Sequence, residues 1–436
     1  MQIAVVGSGI SGLVAAWCLS QRHDVTLFER ESRVGGHTHT IEVPLPDGRT
    51  QPVDTGWIVY NGLNYPNLSA MFEALGIATR PTRMSFGVSL GDGAYEYMGS
   101  DRLWTVFAQP SNLLRPAHLR MLVDILRLNA RCRALLRSGE LPAGSLGDFL
   151  HGLRLSPDVA ARYLLPMAGL IWSCSPRKAM EYPAADFMRF FDSHSLFTAT
   201  QQPVWRTVVG GSHRYLAPLM AAFRGRLCLR TPVQAIRRSG DQLRLHTSEG
   251  DARFDALVCA THSDQALRLL GADADPTERE VLSGIPYNAS RCVLHTDERF
   301  LPRRRAAWAS WTYLNDAVDG RGRCDFEREV HDRPISGSYW MNGLQGIPGP
   351  VNYIVTLNPT REVAPEKVLL DTVYEHPHYG PRSVESHRDL HRIQGRGGLW
   401  FAGAWTQYGF HEDGLTSGLR AVRGVDASCL PAWAVL

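Results

Sequence analysis

The chain has 436 residues, 44% of them hydrophobic, so it can bury more than one core; that length suits two or three domains, or one domain with a large insertion. A formal net charge of +3 excludes a general polyanion-binding role, and no nucleic-acid partner is expected. The eight cysteines (Cys18, Cys132, Cys174, Cys228, Cys259, Cys292, Cys324 and Cys429) form no C-x-x-C pair, which argues for reduced, buried thiols and against a disulfide framework or zinc site. No apolar run reaches the roughly 18 residues of a membrane span. The Gly-rich loop begins at residue 7 with no leader before it, so a cytoplasmic protein is expected.

"QIAVV" reads as a buried parallel strand. Gly7-Ser8-Gly9-Ile10-Ser11-Gly12 then forms G-x-G-x-x-G, and "LVAAWCLSQR" continues as a helix. "DVTLFER" is a second strand, ending at Glu29. Strand, glycine loop, helix and acid together make a dinucleotide fingerprint. Gly7 permits the tight turn, Gly9 lets the backbone approach a pyrophosphate, and Gly12 allows close helix–strand packing. The helix N-terminus offers free amides to phosphates. Glu29 can accept both hydroxyls of a ribose.

The next residues, "RESRVGGHTHT", place Gly35-Gly36 just after the second strand. This resembles the extended FAD signature of glutathione-reductase-like flavoproteins, and more narrowly the branch of flavin amine oxidases and phytoene desaturases. The resemblance implies FAD, with the glycine pair passing the flavin-side phosphate and ribityl. It also assigns Ser11, Arg30 and Thr38 to the cofactor surface. Where that branch usually has Arg or Lys after the glycines, this chain has His37. "VDTGWIVYNG", with Asp54, Gly56, Trp57 and Ile58, resembles the element that runs beside the isoalloxazine ring.

"RLCLRTPVQAIRRSGDQLRLHTSEGDARFDALVCAT" resembles the β-meander that returns to the nucleotide-binding sheet in these proteins. It implies Val233 on the adenine side and Ala260-Thr261 at the pyrophosphate. "VVGGSHRYLAPLM" before it resembles the helix start that leads back to that sheet. "GLWFAGAWTQYGFHEDGLTSGLRAV" resembles the branch's second flavin motif. There Gly403 lets a strand touch the cofactor, and Gly414, Leu415 and Thr416 begin a helix whose amides meet the flavin pyrimidine. The acid usual after the strand's glycine is replaced by Ala404, leaving Asp413 or a backbone group to bind the ribityl.

The implied fold class is α/β, a glutathione-reductase-like Rossmann FAD-binding domain with an inserted α+β substrate domain. The FAD domain draws on residues 1–90, 205–270 and 395–436; the substrate domain takes 91–204 and 271–394. In the latter, "LRPAHLRMLVDILRLNARCRALL" is an amphipathic helix, with Leu119, Leu122, Val123, Leu126 and Leu128 set among arginines. It reads first as a core-facing helix with a solvated basic face, and alternatively as a helix lying on the inner membrane surface. "SYWMNGLQGIPGPVNYIVTLNP" reads as two strands around a Gly/Pro turn.

"DTGWIVYN", "MSFGVSL", "FAQPSN", "LHTDERFLPRRRAAWASWTYLN", "YWMNGLQ", "VTLNP" and "GFHEDGL" together resemble one bacterial group. These are NAD/FAD-binding proteins encoded beside cyclopropane-fatty-acid-synthase-like methyltransferases. The resemblance implies a fatty-acyl or phospholipid acyl substrate and a lipid methyltransferase as partner. The chemistry expected is redox or isomerisation at an unsaturated or methylated chain. Amine oxidases of the branch usually add a lysine near the flavin; Lys178 and Lys367 are the only lysines here, which disfavours that mechanism. "WTQYGFHEDGL" supplies the catalytic candidates: Tyr408 lining the cavity, and His411 or Glu412 moving a proton. The alternative is that His411, Glu412 and Asp413 cap the following helix. His376 and His378 have metal-compatible spacing without further ligands, so no metal is expected.

Overall fold

The computed structural model describes residues 1–100, 102–172, 174–198, 202–315 and 335–436. Cys324 lies outside them; the other seven cysteines are buried free thiols. Gln2–Val6 is apolar on both faces and buried from its second residue on, as a central parallel strand requires. It pairs in parallel with Asp24–Phe28 on one side and Ala256–Cys259 on the other. Arg226–Cys228 and Leu399–Phe401 extend the sheet at its edges, giving five parallel strands. These strands come from three distant stretches of chain. Val6 aligns with both Phe28 and Cys259, and Cys259 with Phe401, so the carboxyl ends open along one edge. The chain leaves the central strand to both sides, which creates a crevice at that edge.

Ile10–Leu19 is buried almost all round because it lies between this sheet and the final long helix, His411–Asp426. Small residues on the final helix make that crossing close. A Cβ on Gly414 would sit 2.8 Å from the Ile10 side chain, and one on Gly418 would overlap the Ser11 carbonyl. Val233–Ser239, Gln242–Thr247 and Gly250–Phe254 form an antiparallel meander before the chain re-enters the sheet.

A second sheet has seven strands: 368–377, 287–295, 354–357, 337–340, 311–315, 86–90 and 95–99 in spatial order. All pairings are antiparallel except Trp311–Asn315 with Phe86–Leu90. Phe86–Leu90 therefore belongs to this sheet, and the expected boundary at residue 90 cuts its hairpin with Tyr95–Gly99. Between Gly337–Trp340 and Ile354–Leu357 the chain forms a short helix, Met341–Gln345, before the Gly/Pro turn.

Pro116–Ser138 is one helix, but its inward face differs from expectation. Of the five expected residues only Leu128 is fully buried, and Leu122 is half-buried. Leu119, Val123 and Leu126 are exposed by 40%, 51% and 64%. The helix carries two apolar stripes, and polar anchors decide between them. On the inward side, Asp124 accepts the Ser156 amide at 3.0 Å and His118 Nδ1 bonds Tyr95 Oη at 2.7 Å. Met121, Leu128, Cys132 and Leu135 follow those anchors into the core.

Candidate functional site: a cofactor crevice at the carboxyl edge

The turns after the parallel strands meet at one edge. Gly7 has φ +98°, and a Cβ there would come within 2.6 Å of the Ala260 carbonyl oxygen. A Cβ on Gly12 would overlap the Gly7 carbonyl. Both glycines are demanded by the fold itself. Gly9 is different: a Cβ there would meet nothing within 4 Å. Opposite lies Gly36, φ +55°, with its Cβ direction 3.2 Å from the Gly9 Cα. Gly35 turns the chain with φ +113°. The result is an open cradle over the N-terminus of Ile10–Leu19, whose first turn carries no acidic side chain. That arrangement suits an anionic pyrophosphate.

Glu29 sits beside the cradle. Its carboxylate accepts the Ser8 amide at 2.9 Å and the Ser8 hydroxyl at 2.5 Å, and its other oxygen accepts the Glu31 amide. These bonds orient it at the strand end. Arg30 is exposed and pairs with Glu31. The Thr231 amide donates to the Glu29 carbonyl, so the segment leading to Val233 runs alongside. The Ala260 amide donates to the Val6 carbonyl, holding that turn against Gly7.

Along the crevice, Gly56 packs under the His37 carbonyl, which also accepts the Trp57 amide at 2.9 Å. Ile58 instead packs inward, against the cluster around Met341 and Tyr353. The Thr38 hydroxyl bonds Tyr215 Oη at 2.6 Å, and Tyr215 Oη bonds His411 Nε2 at 3.0 Å. His411 stacks on Trp57 with ring centroids 4.4 Å apart. The Gly403 amide donates to the Ser417 hydroxyl, which lies 3.4 Å from the Ser11 hydroxyl, so both glycine motifs share one polar seam. Ala404 accepts the Gln407 and Gly409 amides and shapes the following loop. Leu415 is core, and the Thr416 hydroxyl lies between Glu412 and Asn67.

The three acidic and imidazole candidates near the final helix take structural posts. Glu412 accepts the Asn67 and Leu68 amides, each at 2.9 Å, at the start of the helix Pro66–Ala74. It thereby caps that helix. Asp413 accepts the Phe410 and Tyr408 amides at 2.9 and 3.1 Å, capping its own helix and closing the 408–413 loop. Both amides fall on the same carboxylate oxygen, Oδ2. Burial raises the Asp413 carboxyl to about 7. Burial lowers His411 to about 3, so its ring is neutral at neutral pH. Tyr408 differs: it lines a cavity of about 660 Å³ with Tyr182, Tyr379, Arg388 and Arg420.

Tyr215, the link between Thr38 and His411, carries no signal in the sequence beyond its place in "VVGGSHRYL". Nor does sequence spacing bring the histidine group together. His37 lies 5.5 Å from His376 and 6.3 Å from His262, ring to ring, and all three are held near 3 to 4 by burial. His37 Nε2, Trp57 Nε1 and His376 Nδ1 are buried without a hydrogen-bond partner among the described residues. Such atoms call for a ligand rich in oxygen and nitrogen. With the cradle at Gly9, they fit a dinucleotide carrying a polar ring. Lys178 Nζ donates to Asn288 Oδ1 at 2.8 Å, and Lys367 lies 3.9 Å from Asp297 in a one-turn helix, Pro365–Lys367.

Comparison with known proteins agrees with this geometry. The family model for flavin-containing amine oxidoreductases matches residues 10–355. A carotenoid phi-ring synthase of Streptomyces griseus is 29% identical over 321 residues, 69% of this chain. This chain spans 59% of the length of that curated relative. Among solved structures, cyclohexylamine oxidase of Brevibacterium oxydans superposes with TM-score 0.65 at 15% identity, covering 98% of this chain and 99% of that one. A fatty acid isomerase from P. acnes gives 0.62 at 18% identity, covering 95% and 96%. The fold is the amine-oxidase-like arrangement of an FAD-binding α/β domain with a second domain. The chain belongs to the flavin-containing amine oxidoreductase family, and its cofactor is FAD.

Proposed function

We propose that this protein is an FAD-dependent oxidoreductase that performs redox or isomerisation chemistry on an unsaturated or methylated fatty-acyl chain. The observation that carries this reading is the apolar wall on the second-domain side of the 404–413 loop. Phe410 stacks on Phe190 at 5.3 Å, and Tyr408 packs on the same ring at 5.7 Å. Both join a cluster with Phe86, Trp311, Phe187 and Trp172. These rings pack on one another, so the surroundings of the loop on that side are apolar, which supports a hydrocarbon substrate. One relative is named a carotenoid phi-ring synthase, and one structure of similar fold a fatty acid isomerase, which supports an apolar substrate.

FAD supplies a hydride acceptor that can also return what it takes. The chain's own part is binding and orientation. Gly9, Gly36 and the helix amides receive the pyrophosphate, Glu29 the ribose, and His37 Nε2 and Trp57 Nε1 are free to donate to the ring system. Neutral His411 is fixed by Tyr215 and Trp57. Tyr408 is the side chain left to contact substrate. A methyltransferase acting on the same acyl chain is the partner this reading carries.

One observation favours a second reading, amine oxidation. Lys178 donates to Asn288, which pairs across the sheet with His376, and Lys178 also lies beside His378. Anaerobic incubation of the FAD-loaded protein with a lipid extract tests both, by flavin absorbance and by mass spectrometry of the lipids. Flavin bleaching or a rearranged acyl chain is expected. Bleaching by primary amines, with unchanged lipids, replaces the first reading by the second. No response to either leaves a non-catalytic partner of the methyltransferase.

A further inference from the structure

Residues 102–138 carry seven arginines and a single carboxylate, Asp124. Asp124 is buried, engaged with the Ser156 amide and ion-paired with Arg120 and Arg127. The outer face of Pro116–Ser138 is therefore without a free negative charge. Leu119, Val123, Leu126 and Ala130 recur at spacings of four, three and four, so they form one stripe, and all are exposed. Arg120, Arg127 and Arg131 flank it on one side and Arg133 on the other, each exposed. Just before the helix, Leu114 is 86% exposed, with Leu113 beside it and Trp104 61% exposed. A water-facing helix rarely spends its outer stripe on leucine and valine. An apolar stripe between arginine rows, preceded by an exposed tryptophan, matches a helix lying in a lipid interface.

We infer that this face docks the protein on an anionic lipid bilayer, with Leu119, Val123, Leu126 and Leu114 entering the acyl boundary and the arginines meeting lipid phosphates. Charge complementarity selects the occupant: the four exposed arginines flanking the apolar stripe, Arg120, Arg127, Arg131 and Arg133, fit an anionic headgroup layer better than an uncharged surface. The buried side of the same helix packs on Ala184–Ser193, whose Phe190 stacks on Phe410. Docking thus brings the membrane one helix layer from the candidate site. The surface stands on its own geometry, whatever the substrate is.

The test is co-sedimentation of the FAD-loaded protein with vesicles of phosphatidylglycerol and phosphatidylcholine, against pure phosphatidylcholine. Wild type is expected to pellet with the anionic vesicles, and to be released by high salt. The double variant Val123→Glu/Leu126→Glu is expected to lose binding at least about tenfold, since it replaces buried-in-lipid carbons by charge. Neutralising Arg131→Gln and Arg133→Gln should weaken partition about fivefold for each arginine. All four side chains are exposed, so melting temperature and FAD content should hold, which separates lost docking from lost folding. Wild type remaining in the supernatant overturns the inference. So does binding that ignores the double variant, or a lipid-independent dimer that the double variant dissolves, which would make the face a protein interface.

Discussion

Glu412 belongs to the final long helix, yet it caps another: its two carboxylate oxygens each accept an amide at 2.9 Å, one from Asn67 and one from Leu68. The contact ties the C-terminal flavin motif to the segment 66–74, far away in sequence. Glu412→Ala leaves two buried amides without an acceptor. Stability should fall by roughly 2–4 kcal/mol, with Glu412→Gln costing less because one acceptor oxygen remains. Flavin reduction per folded, FAD-loaded molecule should hold. Thermal melting beside single-turnover absorbance checks both; a lost rate at unchanged stability would return Glu412 to the chemistry.

Gly9 and Gly12 separate two reasons for being glycine. A Cβ at Gly12 overlaps backbone, so Gly12→Ala should impair folding itself. A Cβ at Gly9 meets nothing within 4 Å, so Gly9→Val should cost the apoprotein no more than the N-cap preference of the helix it precedes, about 1 kcal/mol, while FAD content falls. Flavin fluorescence after acid release, set against apoprotein melting, reads the difference. Full FAD content in Gly9→Val would move the pyrophosphate elsewhere.

Glu29→Ala removes the acceptor at the strand end. Charge-assisted hydrogen bonds of about 1.5–3 kcal/mol translate into an FAD affinity at least tenfold weaker. Ser8 also loses its partner, so the loop loosens. Titration of apoprotein with FAD gives the affinity, and an unchanged value would remove Glu29 from the cofactor site.

Acid should destabilise the fold, and the sign follows from burial. His37, His262, His376 and His411 are held at about 3 to 4 when folded, against 6.5 ordinarily. The unfolded chain therefore takes up protons first, and stability present above pH 6.5 is lost as pH falls toward 4. Each histidine contributes a slope of up to about 1.4 kcal/mol per pH unit. Asp54 and Asp413, raised to about 6 and 7, and Glu412, raised by burial, act in the opposite sense, gaining stability as they protonate, but His39, His118, His295 and His378, also lowered to about 4 chiefly by burial, add to the four and outweigh them. The apoprotein's melting temperature should drop between pH 6.5 and 5. A flat profile would mean that these rings are hydrated and protonated in the folded state.

The nucleotide-binding core is legible from neighbouring residues alone. The signals there are local: G-x-G-x-x-G, Glu29 and the Gly35-Gly36 pair are spaced by the geometry of one βαβ unit, so backbone sterics tie residue to role. The meander and the final helix were legible for the same reason, through strand alternation and turn residues. The posts of the polar side chains emerge only in the folded chain. His411, Glu412 and Asp413 are consecutive, yet they stack on Trp57, cap Asn67 and cap their own helix, because each bonds to a partner brought from a different stretch of chain. Tyr215 had no sequence signal, since its post between Thr38 and His411 exists only once three segments meet. The strand Phe86–Leu90 looked like part of the first domain because sequence nearness cannot say which sheet edge is free. The helix Pro116–Ser138 had two apolar stripes, and the choice of inward face fell to Asp124 and His118, buried polar groups that must find hydrogen bonds. Local geometry is written in neighbouring residues; the burial that sets a side chain's charge and partner is a property of the assembled chain.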